Sequence, residues 1–217
     1  MALMERGKDS AWSLHTLREA AEYEVGGLLT TINEQFRRVA ISGVREELLD
    51  AQAVAADPPL RKVYLPYPCS NEQYEAAMHP PMEEARDTGI QHVAFGDLFL
   101  EDIREYRDAN LAKVGLSGLY PLWGKDTSAF AREMQQGGLK TRIATLDPSK
   151  MPASFAGSLW DAKTIAALPA GVDPCGEYGE FHTFTFAGPM FSRPIPVTTS
   201  EIVTREAFVY ADIVPEG

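Results

Sequence analysis

The sequence predicts an α/β chain: a mainly parallel sheet flanked by helices over residues 1–112, then a smaller α+β lobe over residues 113–217. Two observations carry that expectation. Apolar, strand-length runs alternate with helix-length segments through the first half, the pattern of βαβ units. From Gly115 the pattern changes, and after Asp161 it becomes one short helix and strands among proline- and glycine-rich loops.

The elements are read in chain order. Asp9 or Ser10 can cap a helix reaching about Ala21, with Trp12, Leu14 and Leu17 among its apolar positions. Tyr23 to Thr31 is strand-like, and Ser42 opens a second helix carrying Leu48, Leu49 and Val54. Arg61 to Tyr67 alternates as a strand, stopped by Pro66 and Pro68. Ser70 caps a helix that Pro80-Pro81 should break or kink. Gln91 to Phe95 is a short strand, and Leu100 to Val114 is helical. Gly115 to Gly124 reads as an apolar connection. A helix over Thr127 to Gln136 and a strand over Lys140 to Leu146 follow. After Asp161 come one short helix and strands near Phe181–Phe186, Ile195–Val197 and Phe208–Val214.

Composition narrows the function classes. A hydrophobic share of 45% suits a packed core. No apolar run approaches the roughly 20 residues that span a bilayer. Cys69 and Cys175 are too few for a disulfide framework, so a cytoplasmic location is expected. The formal charge of −11 disfavours nucleic acid, whose binding rests on cationic contacts with phosphate. Exposed strand edges in the second lobe are compatible with a homodimer.

Ligands of parallel α/β sheets sit beyond the carboxyl ends of the strands. The first such place holds Gly7-Lys8-Asp9-Ser10. Glycine lets backbone amides approach an anion, lysine adds a compact charge, and a helix N-terminus adds a partial one. The spacing is not that of the Walker loop. A second group is Glu177, Glu180 and His182. A strand beginning at Glu180 would place Glu180 and His182 on one face with Phe184 and Phe186. Such a group could bind an ammonium or take a proton from ammonia. Equally, the two glutamates could bond backbone amides of the glycine-rich turn.

Several segments together resemble the diphthine–ammonia ligase family of PP-loop ATPases. Gly7-Lys8-Asp9-Ser10 is similar to the end of the Ser-Gly-Gly-Lys-Asp-Ser pyrophosphate loop. Leu29 to Glu34, Ser70 to Tyr74, Phe95 to Asp102 and Tyr120 to Gly124 also resemble family segments. The most specific is Asp173 to Thr183, with its Gly-Glu-x-Gly-Glu-Phe core. The resemblance implies a Rossmann-like sheet of the HUP/PP-loop type and an ATP-dependent, AMP-forming ligase. The implied reaction adenylates a carboxylate-type acceptor, releases pyrophosphate, and lets ammonia displace AMP. ATP and Mg²⁺ are the implied cofactors. The acceptor would be a modified protein side chain or a small carboxylate.

The family also implies roles. Gly7, Lys8 and Ser10 would hold the phosphates, and Asp9 would hold Mg²⁺. Leu29, Thr30 and Thr31 would bind adenine through their backbone, with Gly96 and Asp97 beside the nucleotide. Asn71, Glu72, Trp123, Glu177, Glu180 and His182 would line the acceptor pocket. The loop departs from the family pattern at Glu5 and Arg6, which replace Ser and Gly. These two changes motivate the alternative of a nucleotide-binding or sensing protein with little turnover.

Overall fold

The computed structural model describes residues 2–3 and 7–216. Glu5 and Arg6 therefore lie outside the described residues. The chain forms two compact units. One comprises residues 2–3 with Asp9–Ala40 and Pro58–Gly124. The other comprises residues 7–8, Ile41–Asp57 and residues 125–216.

The first unit is a mixed α/β structure built on a parallel sheet. Its strands are β1 (Ala2–Leu3), β2 (Leu28–Asn33), β3 (Arg38–Val39), β4 (Leu60–Leu65), β5 (His92–Ala94) and β6 (Ser117–Leu119). The parallel strands lie in the spatial order β4-β2-β1-β5-β6, so the order reverses direction at β1. β3 folds back antiparallel on the end of β2, pairing Ile32 with Val39. The chain's helices begin with α1 (Lys8–Ala20), α2 (Glu46–Ala56), α3 (Asn71–Asp87) and α4 (Glu101–Lys113). Leu29, Val63, Val93 and Phe95 from the sheet pack with Met82 of α3 and Leu111 of α4 in one core. Alternation explains that face: side chains of a strand point to opposite sides in turn.

Several boundaries differ from expectation, each for a physical reason. α1 starts at Lys8, so Asp9 and Ser10 lie in its first turn instead of capping it. β2 starts at Leu28, after Gly26 and Gly27, and continues to Asn33 because β3 and β4 pair with its far end. Pro80 and Pro81 sit inside α3, which runs on to Asp87. The helix forgoes two amide donors there while Pro81 and Met82 are buried. Ser70 does cap it, in a reciprocal box with Gln73. The Gly115–Gly124 connection contains β6, whose pairing with β5 supplies what its sequence pattern lacks.

The second unit carries an antiparallel sheet. Its strands are β7 (Lys140–Leu146), β8 (Phe181–Ala187), β9 (Val197–Arg205) and β10 (Phe208–Pro215), in the order β8-β7-β10-β9. Its helices include α5 (Thr127–Gln136), capped by Asp126, and α6 (Ala162–Ala166), capped by Asp161. β9 starts at Val197 and not at Ile195, and it extends well beyond the expected end. α2 belongs to this unit. It starts at Glu46, four residues after Ser42, with Arg45 as its N-cap. Arg45 holds the buried Asp212 of β10 through two hydrogen bonds, at 3.0 and 2.7 Å. Gln52 donates to the carbonyl of Thr185, and Ser192 N–H donates to that of Ala55 at 2.8 Å.

Gly96 provides a direct test of packing in the first unit. A Cβ there would lie 2.8 Å from the carbonyl carbon of Asp9 and 2.9 Å from the Ser10 nitrogen. Both are backbone atoms at the start of α1 and cannot swing aside. Gly96→Ala should cost about 2–3 kcal/mol in urea unfolding. Gly89→Ala, where no atom lies within 4 Å and only a φ of +92° opposes the change, should cost about 1 kcal/mol.

Candidate functional site

The predicted residues divide between the two units. Asp9 and Ser10 open the body of α1 in the first unit, with Ser10 buried. The backbone of Asp9 and Ser10 is approached by Gly96, at the end of β5. Asp97, the next residue, pairs with Arg107 of α4 at 2.9 Å. Burial pushes the Asp97 carboxyl up, and the Arg107 charge opposes that shift. The Arg107 guanidinium also lies over Phe95, 4.3 Å from the ring centre.

Leu29 and Thr30 are fully buried and Thr31 is 5% exposed. They stand within β2, paired with Arg61, Lys62 and Val63 of β4. The Thr31 carbonyl accepts the Ala40 N–H at 3.3 Å. Asn71 and Glu72 are exposed in the first turn of α3. Trp123 packs edge-on against Tyr120, with ring centres 5.7 Å apart.

In the second unit, the loop from Asp173 to Glu180 gathers the remaining residues. Two turns build it, closed by Gly176 N–H on the Asp173 carbonyl and Gly179 N–H on that of Gly176. Gly176 and Gly179 both have φ near +75°. At Gly176 a Cβ would stand 2.9 Å from the Phe181 carbonyl oxygen, so glycine is required there. Glu180 is 3% exposed, and its two oxygens accept the N–H groups of Asp173 and Tyr178, both at 3.0 Å. Asp173 accepts the Cys175 N–H at 2.7 Å and the Thr127 hydroxyl at 2.7 Å.

Cations and donors meet the carbonyls of the same loop. Trp160 donates to Pro174, and Lys150 to Tyr178 at 2.6 Å. Lys8, also part of this unit, is 2% exposed and donates its ammonium to the Cys175 carbonyl. The Lys8 backbone N–H donates to the Thr183 hydroxyl at 3.0 Å. The Lys8 ammonium lies 5.7 Å from the Trp160 ring centre and 5.8 Å from that of Phe181.

β8 begins at Phe181, so Glu180 precedes the strand. Period two still sets His182, Phe184 and Phe186 on one face. Burial, then the Lys8 and Lys150 charges, pull the His182 imidazole down to about 4. It is therefore neutral at pH 7, a hydrogen-bonding group and a weak base. Among the described residues, no three or more of His, Cys, Asp and Glu come together as a metal-holding group.

Residues 126–214 match the diphthamide synthase C-terminal domain family. The chain is also 32% identical over 130 residues to a diphthine–ammonia ligase from Rattus norvegicus, covering 57% of this chain and 48% of that protein. For the diphthine–ammonia ligase of Homo sapiens the identity is 30% over 130 residues, with the same coverage. For that of Danio rerio it is 29% over 120 residues, 52% of this chain and 47% of the relative. The chain is thus similar to the diphthine–ammonia ligases over a little more than half of its length, and residues 126–214 carry the match to the domain family.

It spans about half the length of the curated relatives it matches. The diphthamide synthase domain contains the whole Asp173–Glu180 loop with Lys150 and Trp160. Sequence reasoning missed the organising roles of Asp173, Lys150 and Trp160. Asp173-Pro174 ahead of a Gly-x-x-Gly turn was a signal for the first, since aspartate commonly bonds amides two residues on. Lys150 and Trp160 gave none, because their contacts cross more than ten residues of chain. Among the described residues, no helix is long and apolar enough to cross a membrane.

The His182 environment has a measurable pH consequence. The unfolded imidazole takes a proton near pH 6.5, whereas the folded one holds off until about 4. Stability should be complete above about pH 6.5 and fall as the pH drops towards 4, by on the order of 3 kcal/mol. Proton NMR of the four histidines should show one midpoint near 4. Lys8→Met should move that midpoint upward; a His182 midpoint at the ordinary value would contradict the arrangement.

Proposed function

We propose that the chain is an ATP-dependent amide ligase that activates a carboxylate-type acceptor as its adenylate and passes it to ammonia. The observation that carries this reading is the match to diphthine–ammonia ligases joined to Gly7-Lys8-Asp9-Ser10, where α1 begins. A reversal of strand order at β1 supports a nucleotide site there, since ligands of such sheets occupy the crevice at the reversal. It also agrees with a Rossmann-like sheet of the PP-loop type.

The residues suit ATP through the first turn of α1. A helix N-terminus favours anions through its partial positive charge, and Ser10 adds a hydroxyl. Asp9 would meet the Mg²⁺ that accompanies the phosphates. In the first step, an acceptor carboxylate oxygen bonds to the α-phosphorus while the bond to pyrophosphate breaks. In the second, the ammonia nitrogen bonds to the acyl carbon, AMP leaves, and the nitrogen sheds a proton. Positive charge opposing pyrophosphate lowers the first barrier, the part assigned to Lys8. His182 is too weak a base to deprotonate ammonium, so ammonia would be used as the free base. Glu177 could take up the proton released on amide formation. The cytoplasm, which supplies ATP, is the proposed location.

A second reading is favoured by one observation. Lys8 is buried with its ammonium on the Cys175 carbonyl, a contact that would compete with a phosphate for it. A protein that kept it closed would bind nucleotide weakly or without turnover. Incubation with ATP, Mg²⁺, ammonia and a panel of carboxylates separates the two. The ligase reading expects AMP and pyrophosphate in equal amounts, and a loss of at least about a hundredfold in Lys8→Met. Binding of ATP with no AMP on any acceptor would favour the sensing protein.

A further inference from the structure

Arg104 and Arg107 stand one turn apart on α4, and the structure treats them oppositely. Arg107 is a brace. Its guanidinium is largely enclosed, ion-paired with Asp97 at 2.9 Å, donating to Asp97 Oδ1 at 3.3 Å, and laid over Phe95. Arg104 is held by rings. Its guanidinium lies 4.8 Å from the Tyr120 ring centre and 4.6 Å from that of Trp123.

Its nearest carboxylate is Asp108, at 3.8 Å, beyond hydrogen-bond reach. That ion pair uses Asp108 Oδ2, while Oδ1 accepts the Tyr120 hydroxyl at 2.8 Å. Among the described residues, the Arg104 guanidinium meets no hydrogen-bond acceptor. The side chain is 37% exposed, so part of it reaches solvent beside the two rings.

The supporting rings are themselves fixed. Tyr120 stacks on Phe95 at 5.6 Å, and burial together with the Asp108 carboxylate pushes its phenol up, so it stays protonated and keeps its bond. Gly118 makes room for that bond, because a Cβ there would lie 2.4 Å from Asp108 Oδ1. Gly124 N–H donates to the Leu98 carbonyl at 2.7 Å, tying the segment after β6 to the segment after β5. Both segments follow carboxyl ends of parallel strands. Phe95, under the same cluster, directly precedes Gly96, which touches the first turn of α1.

We propose that Arg104, pre-set by Tyr120 and Trp123, is an anchor for a carboxylate of the acceptor that does not itself react. A planar guanidinium whose orientation is fixed by stacking offers two parallel donors to a carboxylate and loses little entropy on binding it. The anchored group must differ from the one activated, because a carboxylate held bidentate by arginine has its nucleophilic lone pairs engaged. The acceptor is thus a dicarboxylate, or a monocarboxylate bearing a second planar anion. The use of that acceptor rests on the ligase reading, whereas the binding does not.

The test is NMR of the three tryptophan indole N–H groups in the full chain, with Trp123→Phe identifying the Trp123 signal. Succinate is the probe, succinamide its uncharged counterpart, and inorganic phosphate the competing anion. Succinate should move the Trp123 signal saturably at millimolar concentration, and succinamide should not. Arg104→Gln should weaken the response at least about tenfold. Arg104→Lys, which keeps charge but loses the fork and the stacking, should fall between; thermal melts check that both variants fold.

No response to succinate, an undiminished response in folded Arg104→Gln, or tighter binding of phosphate would overturn the anchor. Because no ATP is present, the two readings fail separately. A succinate response without AMP formation on any dicarboxylate defeats the ligase alone. AMP formation with an unchanged KM for the dicarboxylate in Arg104→Gln defeats the anchor alone.

Discussion

A buried ammonium is tolerated only where oxygen answers it, and much of the second unit is arranged around that requirement at Lys8. The Cys175 carbonyl supplies the answer, with the faces of Trp160 and Phe181 around it. A carbonyl can be aimed inward in this way only if the loop bearing it cannot relax. Asp173 and Glu180 hold the loop's amides, while Trp160 and Lys150 hold its other carbonyls. The Gly-Glu-x-Gly-Glu-Phe order follows from that demand. Gly176 lies too close to the Phe181 carbonyl for any side chain, Gly179 turns with positive φ, and Glu180 spans the turn.

The same closure bears on chemistry. A hydrogen bond from a charged donor is worth about 1.5–3 kcal/mol net. An exchange of the Cys175 carbonyl for a polyphosphate is therefore within reach of nucleotide binding energy, and it would remove a positive charge from near His182. On the ligase reading, loop, lysine and histidine would be linked through one equilibrium, and a ligand would act on it only through its preference for one state. A ligase and a sensing protein would differ in the position of this equilibrium more than in their residues.

How much of this was legible in the sequence depended on the range of the interactions. Local chemistry was readable. Ser70 announced a helix start, and Thr127–Gln136 and Lys140–Leu146 form where their own patterns place them. Elements defined by partners were not. Ser117–Leu119 is a strand because β5 lies beside it, and the Pro80-Pro81 pair is carried by a helix whose core contacts outweigh two missing donors. α2 sits between two strands of the parallel sheet in sequence, which suggested a crossover. Its contacts through Arg45, Gln52 and Ala55 instead belong to the antiparallel unit. Among site residues, Glu180 was readable in both of its senses, and only the positions of two amides decide which one the structure uses.

Charge follows the same logic of local pairing. A chain with a formal charge of −11 repels polyanions at a distance. Contact, however, is governed by the nearest few groups, since water and salt screen the rest within about 10 Å. In the cluster after β5 and β6, Asp97 is matched by Arg107 and Asp108 is turned towards Tyr120. Arg104 meets Asp108 only at 3.8 Å, so its guanidinium keeps donors that a small anion could use. Such a group admits a small anion with the right shape and gives a long phosphate backbone little to follow. The acidity of the whole and the proposed anchor at Arg104 are compatible, and together they would favour a small acceptor over a polyanion.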